Sequence, residues 1–204
     1  MTRQLLISLR VTLLTLVVCS LLYPLAVTGI AQILFPGQAN GSLVRSSSGT
    51  IIGSRLLGQR FVNAAYFQGR PSAAGNGYDA ANSGGSNDGV TSAKLRAREV
   101  AEVARLRRQN PTAPMPIPAA LVTASASGLD PDLTPDAARW QVPRVAKARG
   151  VAPGRVEAVL DSLLEGRSLG FLGEPHVNVL MLNLALDQQF GAPPPATLPP
   201  EPTR

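Results

Sequence analysis

Residues 122–136, VTASASGLDPDLTPD, put Ser125, Ser127, Asp130, Asp132 and Asp136 on one short stretch, and the chain has a single histidine, His176. Two chemistries draw on those residue types. A hydroxyl, an imidazole and a carboxylate are the parts of a nucleophilic hydrolase, in which the imidazole takes the hydroxyl proton and the carboxylate orients it. Closely spaced aspartates are hard oxygen donors of the kind calcium prefers. Neither reading has its local frame. No G-x-S-x-G turn presents a serine, and the aspartates lack the central glycine and terminal glutamate of an EF-hand loop. No G-x-x-x-x-G-K-[ST] loop is present for phosphate either. The one cysteine, Cys19, lies in an apolar run, which excludes an internal disulfide and a C-x-x-C site. One histidine leaves no imidazole cluster for a transition metal.

Turn chemistry accounts for the same stretch. Gly128 supplies a left-handed position, and Asp130 before Pro131 starts a turn. Thr134 then reads as a helix N-cap, with Pro135 at the first helical position and Asp136 favourable to the helix dipole. The segment is a strand-to-helix corner, with Ala119 to Thr123 expected as the short strand that enters it. Pro143 removes a helix hydrogen bond, so the helix is expected to break near Val142 and a new short one to run from Pro143 to Gly150.

What must carry this lobe begins with a membrane helix. Val11 to Phe35 contains no charge; as a helix it is roughly 37 Å long, enough for a hydrocarbon core of about 30 Å. A cleaved signal peptide competes, since Gly29-Ile30-Ala31 resembles a cleavage site, but its apolar region is usually only about 7–15 residues. Thr12, Thr15, Ser20, Pro24, Thr28 and Gly29 give the span small and polar positions suited to packing among other membrane helices. Arg3 and Arg10 flank its start, so positive-inside counting places the N-terminus in the cytoplasm and the rest of the chain outside.

Charge is distributed unevenly. No acidic residue precedes Asp79, whereas Arg3, Arg10, Arg45, Arg55, Arg60 and Arg70 do, so the whole net charge of +6 belongs to the first third. Arginine beside an apolar segment points to anionic headgroups or an acidic partner surface before nucleic acid. Arg45, Arg55, Arg60 and Arg70 are therefore candidates for a partner interface.

Thr50 to Gly53 reads as a short strand after a Ser48-Gly49 turn. Phe61, Tyr66 and Phe67 gather three of a small stock of aromatics, 4% of the chain, so that segment must pack. Ser83-Gly84-Gly85-Ser86-Asn87-Asp88-Gly89 is a loop. A helix is predicted over Lys94–Gln109; its arginines are diluted by Glu99 and Glu102 and not interleaved with aromatics, which suits a solvated face rather than nucleic acid. PTAPMPIP at 111–118 is an extended connector. Another helix is predicted from Pro153 to a cap at Gly166. Asn178 caps the run VLMLNLALDQQ, read as a helix, although its length also suits a buried strand. The segment 191–204 is proline-rich and disordered by composition.

Five blocks in order behind one span resemble a known family: GSRLLGQRF (53–61), AAYFQGRPSAAG (64–75), YDAANSGGSNDG (78–89), LVTASASGLDPDLTPDAARWQVPRVAKARG (121–150) and GEPHVNVLMLNLALD (173–187). The family is the C subunit of the bacterial Kdp potassium-transporting P-type ATPase. Ala126, Asp132 and the stretch Asp88–Ser92 depart from its usual pattern. The resemblance implies a non-catalytic, single-pass subunit of an ATP-driven potassium uptake complex in the bacterial inner membrane. Its implied partners are a channel-like potassium-selective subunit, an ATP-hydrolysing subunit, a small membrane peptide and the lipid bilayer. It implies no stably bound cofactor and no nucleic acid. The family's description as a catalytic chaperone for ATP binding would assign nucleotide contact, through the complex, to Ser83, Gly84, Gly85, Ser86 and Gln141. From the residues alone that loop reads as a turn letting backbones pass closely, since no lysine follows it.

The expected architecture is a cytoplasmic N-terminus over 1–10, a transmembrane helix over 11–35, a mixed α/β extracytoplasmic domain with a small sheet and several short helices over 36–190, and a tail over 191–204. Assembly of the complex is the expected role; raising the ATP affinity of the pump subunit is the alternative.

Overall fold

The computed structural model describes residues 1–46 and 48–194. Residues 195–204, most of the expected disordered tail, lie outside the described residues. The chain divides into two compact units, Met1–Ser54 and the residues from Arg55 onward.

The first unit is dominated by one apolar rod. Helix α1 (Thr2–Val17), a π-helical turn (Val18–Leu22) and helix α2 (Tyr23–Leu34) run on without a break. The combined helix has 33 residues, with a mean hydropathy of 2.4 in its most apolar window and nothing in that window buried. At 1.5 Å per residue it is roughly 50 Å long, more than a bilayer core requires. The π turn sits just before Pro24, where a proline takes an N–H out of the hydrogen-bond ladder. A short helix α3 (Pro36–Ala39) follows, then strands β1 (Leu43–Arg45) and β2 (Ile51–Ser54), paired antiparallel with Leu43 opposite Ser54.

The second unit packs helices around a two-stranded sheet. Its elements are α4 (Ala93–Gln109), β3 (Asp132–Leu133), α5 (Pro135–Arg149), α6 (Pro153–Ser162), β4 (Val177–Asn178) and α7 (Val179–Phe190). β3 and β4 are antiparallel, with Leu133 opposite Val177. The domain is thus mixed α/β as expected, with two small separate sheets in the chain instead of one. The core is aliphatic: Leu133, Val145, Val156, Leu160, Val177, Leu182 and Leu186 are essentially solvent-free, and Phe67 joins them from the irregular segment before α4.

Three sequence expectations need correction. Ala119–Leu121 is a single 3-10 turn and not a strand. The amides of Val122 and Thr123 both return to the Ala119 carbonyl, as does the Thr123 hydroxyl, so the chain curls after Pro118 instead of extending. Helix α5 does not break at Val142; Pro143 sits inside it. The carbonyl that loses its partner belongs to Arg139, because Pro143 has no N–H to donate. Buried Trp140, Val142, Val145 and Ala146 hold the helix to the core on both sides of the proline. Helix α6 stops at Ser162, four residues before Gly166, yet Leu163 and Leu164 still pack on the core as the chain leaves it.

Candidate functional site

The corner that drew attention in the sequence is the platform on which the glycine-rich loop lies. Thr134 accepts a hydrogen bond from the Ala137 amide (3.4 Å), and Pro135 opens α5. Asp130 folds back on its own turn, accepting from the Asp132 amide (3.1 Å), and pairs with Arg70 at 3.0 Å; the carbonyl of Pro131 accepts from the amide of Val179 at the start of α7. Gly128 has φ 67, and a Cβ there would meet the Gly84 carbonyl at 2.6 Å. One at Gly85 would meet the Ala126 carbonyl at 2.8 Å. Two hydrogen bonds fix the crossing, since the Gly84 amide and the Ser83 hydroxyl both donate to the Ser127 carbonyl at 2.9 Å. Ser86, at the far end, accepts from Arg98, which also pairs with Asp88 at 2.9 Å. The loop's glycines stand where two backbones cross.

Gln141, to which the family's chaperone description would assign nucleotide contact together with that loop, points inward from α5 and is 2% exposed. Its amide nitrogen donates to the Gln68 carbonyl (2.9 Å) and its oxygen accepts from the Gln68 amide (2.9 Å) and from Arg144 (2.7 Å). One residue earlier Asn183, from α7, does the same: its nitrogen donates to the Phe67 carbonyl (2.9 Å) and its oxygen accepts from the Phe67 amide (2.8 Å). Side-chain amides bracket two consecutive peptide units and replace the strand partners that Phe67 and Gln68 lack, since buried backbone groups must be paired. Arg144 also donates to the Ala64 carbonyl (2.6 Å). Burial, reinforced by the charge of Arg105, pulls its pKa down to about 10, which leaves it charged at neutral pH.

A third fastener closes the segment. The side chain of Arg149 at the end of α5 is 2% exposed and pairs with Asp187 of α7 at 2.8 Å. It also donates to the carbonyls of Ala65 (2.7 Å) and Gly191 (3.0 Å) and lies 5.2 Å from the Tyr66 ring centroid. The Tyr66 hydroxyl donates to the other Asp187 oxygen at 2.7 Å. Burial first, then the bonded carboxylate of Asp187, pushes Tyr66 up to about 12.

The hydrolase inventory does not come together. The hydroxyl of Ser125 is buried with no hydrogen-bond partner among the described residues, and that of Ser127 accepts from the Leu129 amide. His176 bonds the Glu174 carbonyl through Nδ1, and its Nε2 lies 4.0 Å from Asp132 and 3.9 Å from Glu165. Neither serine hydrogen-bonds His176 among the described residues. Burial raises the Asp132 carboxyl above its usual range, against the Asn178 amide that donates to it. The three aspartates go separate ways, and among the described residues no three His, Cys, Asp or Glu side chains are grouped to hold a metal ion.

The geometry gives a rigid, internally fastened lobe in one unit and a long exposed apolar helix in the other, and comparison with known proteins gives the family to which such a chain is similar. Residues 5–188 match the family model described as KdpC, K+-transporting ATPase, c chain. The chain belongs to the KdpC family. It is similar to the Potassium-transporting ATPase KdpC subunit of Myxococcus xanthus, 61% identical over 189 residues that cover 93% of this chain and 90% of the relative. The proteins of the same name from Caulobacter vibrioides (strain NA1000 / CB15N) and Methylobacterium nodulans are 54% and 51% identical. The first of these alignments covers 85% of this chain and 87% of the relative, the second 92% and 96%.

In this member of the KdpC family the other candidate residues fall into two groups. Thr12, Thr15, Ser20, Pro24, Thr28 and Gly29 are all exposed on the apolar rod, where Thr15 folds its hydroxyl back onto the Val11 carbonyl (2.9 Å). The arginines are engaged close to home: Arg45 with the Gly49 carbonyl, Arg55 with Glu165 (3.3 Å), Arg60 with the Asn76 carbonyl, Arg70 with Asp130. Asn183, Arg149, Asp187 and Gln68 were not singled out by the sequence. For Asn183 a signal existed, one amide in the otherwise apolar start of VLMLNLALDQQ.

Proposed function

We propose that this chain is a non-catalytic, single-pass subunit that stabilises an ATP-driven potassium uptake complex, its span packing among partner helices and its lobe docking outside the cytoplasm against the channel-like subunit. The observation that carries this reading is the rod Thr2–Leu34, whose apolar surface is uncovered along its whole length in a chain of this family. Small and hydroxyl side chains on the rod suit close helix packing, and in the lobe Gln141, Arg144 and Asn183 are turned inward to fasten its own backbone. Direct nucleotide contact is less well supported, because a ligand reaching Gln141 would have to displace its bonds to Gln68 and Arg144.

Removing Thr2–Leu34 tests the reading: the remaining subunits should no longer co-purify with the chain in detergent, and intact assembly would overturn it. The side of the membrane is tested separately. A cysteine replacing Ser86, with Cys19 replaced by serine, should react with an impermeant thiol reagent in cells whose outer barrier is opened. Protection there together with labelling from the cytosol would put the lobe within reach of ATP and favour the nucleotide role.

A further inference from the structure

The hairpin joining α6 to β4 presents surface that the fold does not use. At its base Glu165 and His176 exchange both backbone hydrogen bonds (2.8 and 3.0 Å), and at its neck Ser168 and Leu172 exchange theirs (2.9 Å each). The Gly170 amide closes the tip onto the Arg167 carbonyl (3.1 Å). Leu169 adopts φ 54, a region that disfavours side chains, so the tip holds a leucine where a glycine would be easier. Leu169, Phe171 and Leu172 are 83%, 68% and 51% exposed. The result is an apolar knob on a neck closed by its own backbone. Arg167 on the rising side and Glu174 on the falling side are exposed, with no ion pair for either among the described residues.

We propose that this knob is a docking contact: Leu169, Phe171 and Leu172 enter an apolar pocket on another subunit of the potassium-transporting assembly, whose rim offers a carboxylate to Arg167 and a basic group to Glu174. The proposal rests on the assembly reading above and names its contact. Charge decides between occupants. A loop that docks on an anionic membrane gains from surplus basic residues, whereas Arg167 and Glu174 cancel. One cation and one anion on opposite sides of an apolar centre match a protein pocket that can pair both. A second copy of the chain is too little served, since three side chains offer a few hundred Å² against about 800 Å² per partner in a stable pair. As one contact among several, with the span already holding the chain to the complex, that area is sufficient. The closed neck also means that little order has to be imposed on binding, which favours a small, specific contact.

The test uses the full chain in membranes holding the whole complex. A photo-crosslinking phenylalanine at Phe171 should form an adduct with another subunit, and one at Val90, 96% exposed and outside the hairpin in sequence, should not. Adducts confined to lipid, adducts with a second copy, or an adduct yield at Phe171 no greater than at Val90 would each overturn the proposal. In parallel, the double variant Leu169→Ser with Phe171→Ser should lower recovery of the complex in detergent by about tenfold or more, with the unfolding midpoint of the chain unchanged. If removing Thr2–Leu34 disrupts assembly and the double variant does not, the knob is wrong and the assembly role stands. If neither disrupts it, the assembly role itself fails.

Discussion

Two irregular segments of the same lobe are fastened in opposite ways. The stretch around residues 64–70 lacks a strand partner, and its backbone is held by side chains arriving from helices: Asn183, Gln141, Arg144 and Arg149. The hairpin 165–176 is held at base and neck by its own backbone and sends its side chains outward. In the first, polar groups serve the interior and the segment has little left to offer a partner. In the second, nothing polar is needed for order, and the surface is free to be apolar. Polar side chains around the first segment are taken up by its own backbone, whereas the second leaves Leu169, Phe171 and Leu172 exposed.

The comparison breaks most visibly at Arg149. Replacing it by methionine leaves the Asp187 carboxylate without its cation and the Ala65 carbonyl without its donor. Breaking a buried pair from one side costs about 3–5 kcal/mol, so the unfolding free energy from denaturant titration in detergent should fall by that amount. The same clamp has a pH signature. Folded Tyr66 keeps its proton to about pH 12, while an unfolded tyrosine releases it near 10. Its contribution is therefore complete below pH 10 and lost as pH rises through 12, because in that window the unfolded chain loses the proton first. The stability difference between the native chain and Tyr66→Phe should shrink across that window and stay flat below it.

Next in size are the brackets. Gln141→Leu orphans an amide and a carbonyl on Gln68, and Asn183→Leu does the same on Phe67. Each orphaned buried group costs about 1–3 kcal/mol, so with two orphaned apiece each variant should lose at least roughly 2 kcal/mol. The double variant should lose less than the sum, since the two brackets hold one continuous segment. The pair also sharpens the functional question. If both variants change ATP hydrolysis by the complex in proportion to their lost stability, Gln141 acts as a fastener. A drop confined to Gln141→Leu would give it a nucleotide role that Asn183 does not share.

Most helices of this lobe were legible because each announces itself locally. Asn178 and Thr134 are cap residues followed by helix formers, and Val156, Val159 and Leu160 recur at helical spacing and are buried as that spacing requires. The apolar rod was legible from hydropathy alone, apart from its extension back to Thr2. Pro143 was misread because one lost hydrogen bond breaks a helix only where packing does not hold it, and only the tertiary structure shows Trp140, Val142, Val145 and Ala146 buried on both sides of the proline. The brackets were illegible for a similar reason. Gln141 and Asn183 lie far from Phe67 and Gln68 in sequence, and no periodicity links an amide on a helix to a peptide unit in a distant loop.

A smaller effect is expected at the corner. Thr134→Ala removes one cap bond, already long at 3.4 Å, from an exposed helix start. A loss of about 0.5–1 kcal/mol is expected by denaturant unfolding. It should be additive with Gln141→Leu, because the cap and the bracket share no partner although they belong to one helix.

The smallest effect is expected at the knob, and there its smallness is the informative part. Leu169→Gly removes an exposed side chain and relieves a left-handed backbone that costs a non-glycine residue roughly 1 kcal/mol. The glycine returns a similar amount through the freedom it gains in the unfolded chain, about 0.5–1 kcal/mol. The two cancel, so the unfolding free energy should stay within about 0.5 kcal/mol of the native chain's. Phe67→Ser, in the opposite loop, buries a hydroxyl where an aromatic ring now has no exposure and should cost several times more. If Leu169→Gly destabilises the chain as Phe67→Ser does, the hairpin is a structural element like the bracketed segment, and the contrast between the two loops disappears. If it leaves the fold intact while recovery of the complex falls, leucine is kept in that strained position for what it touches outside the chain.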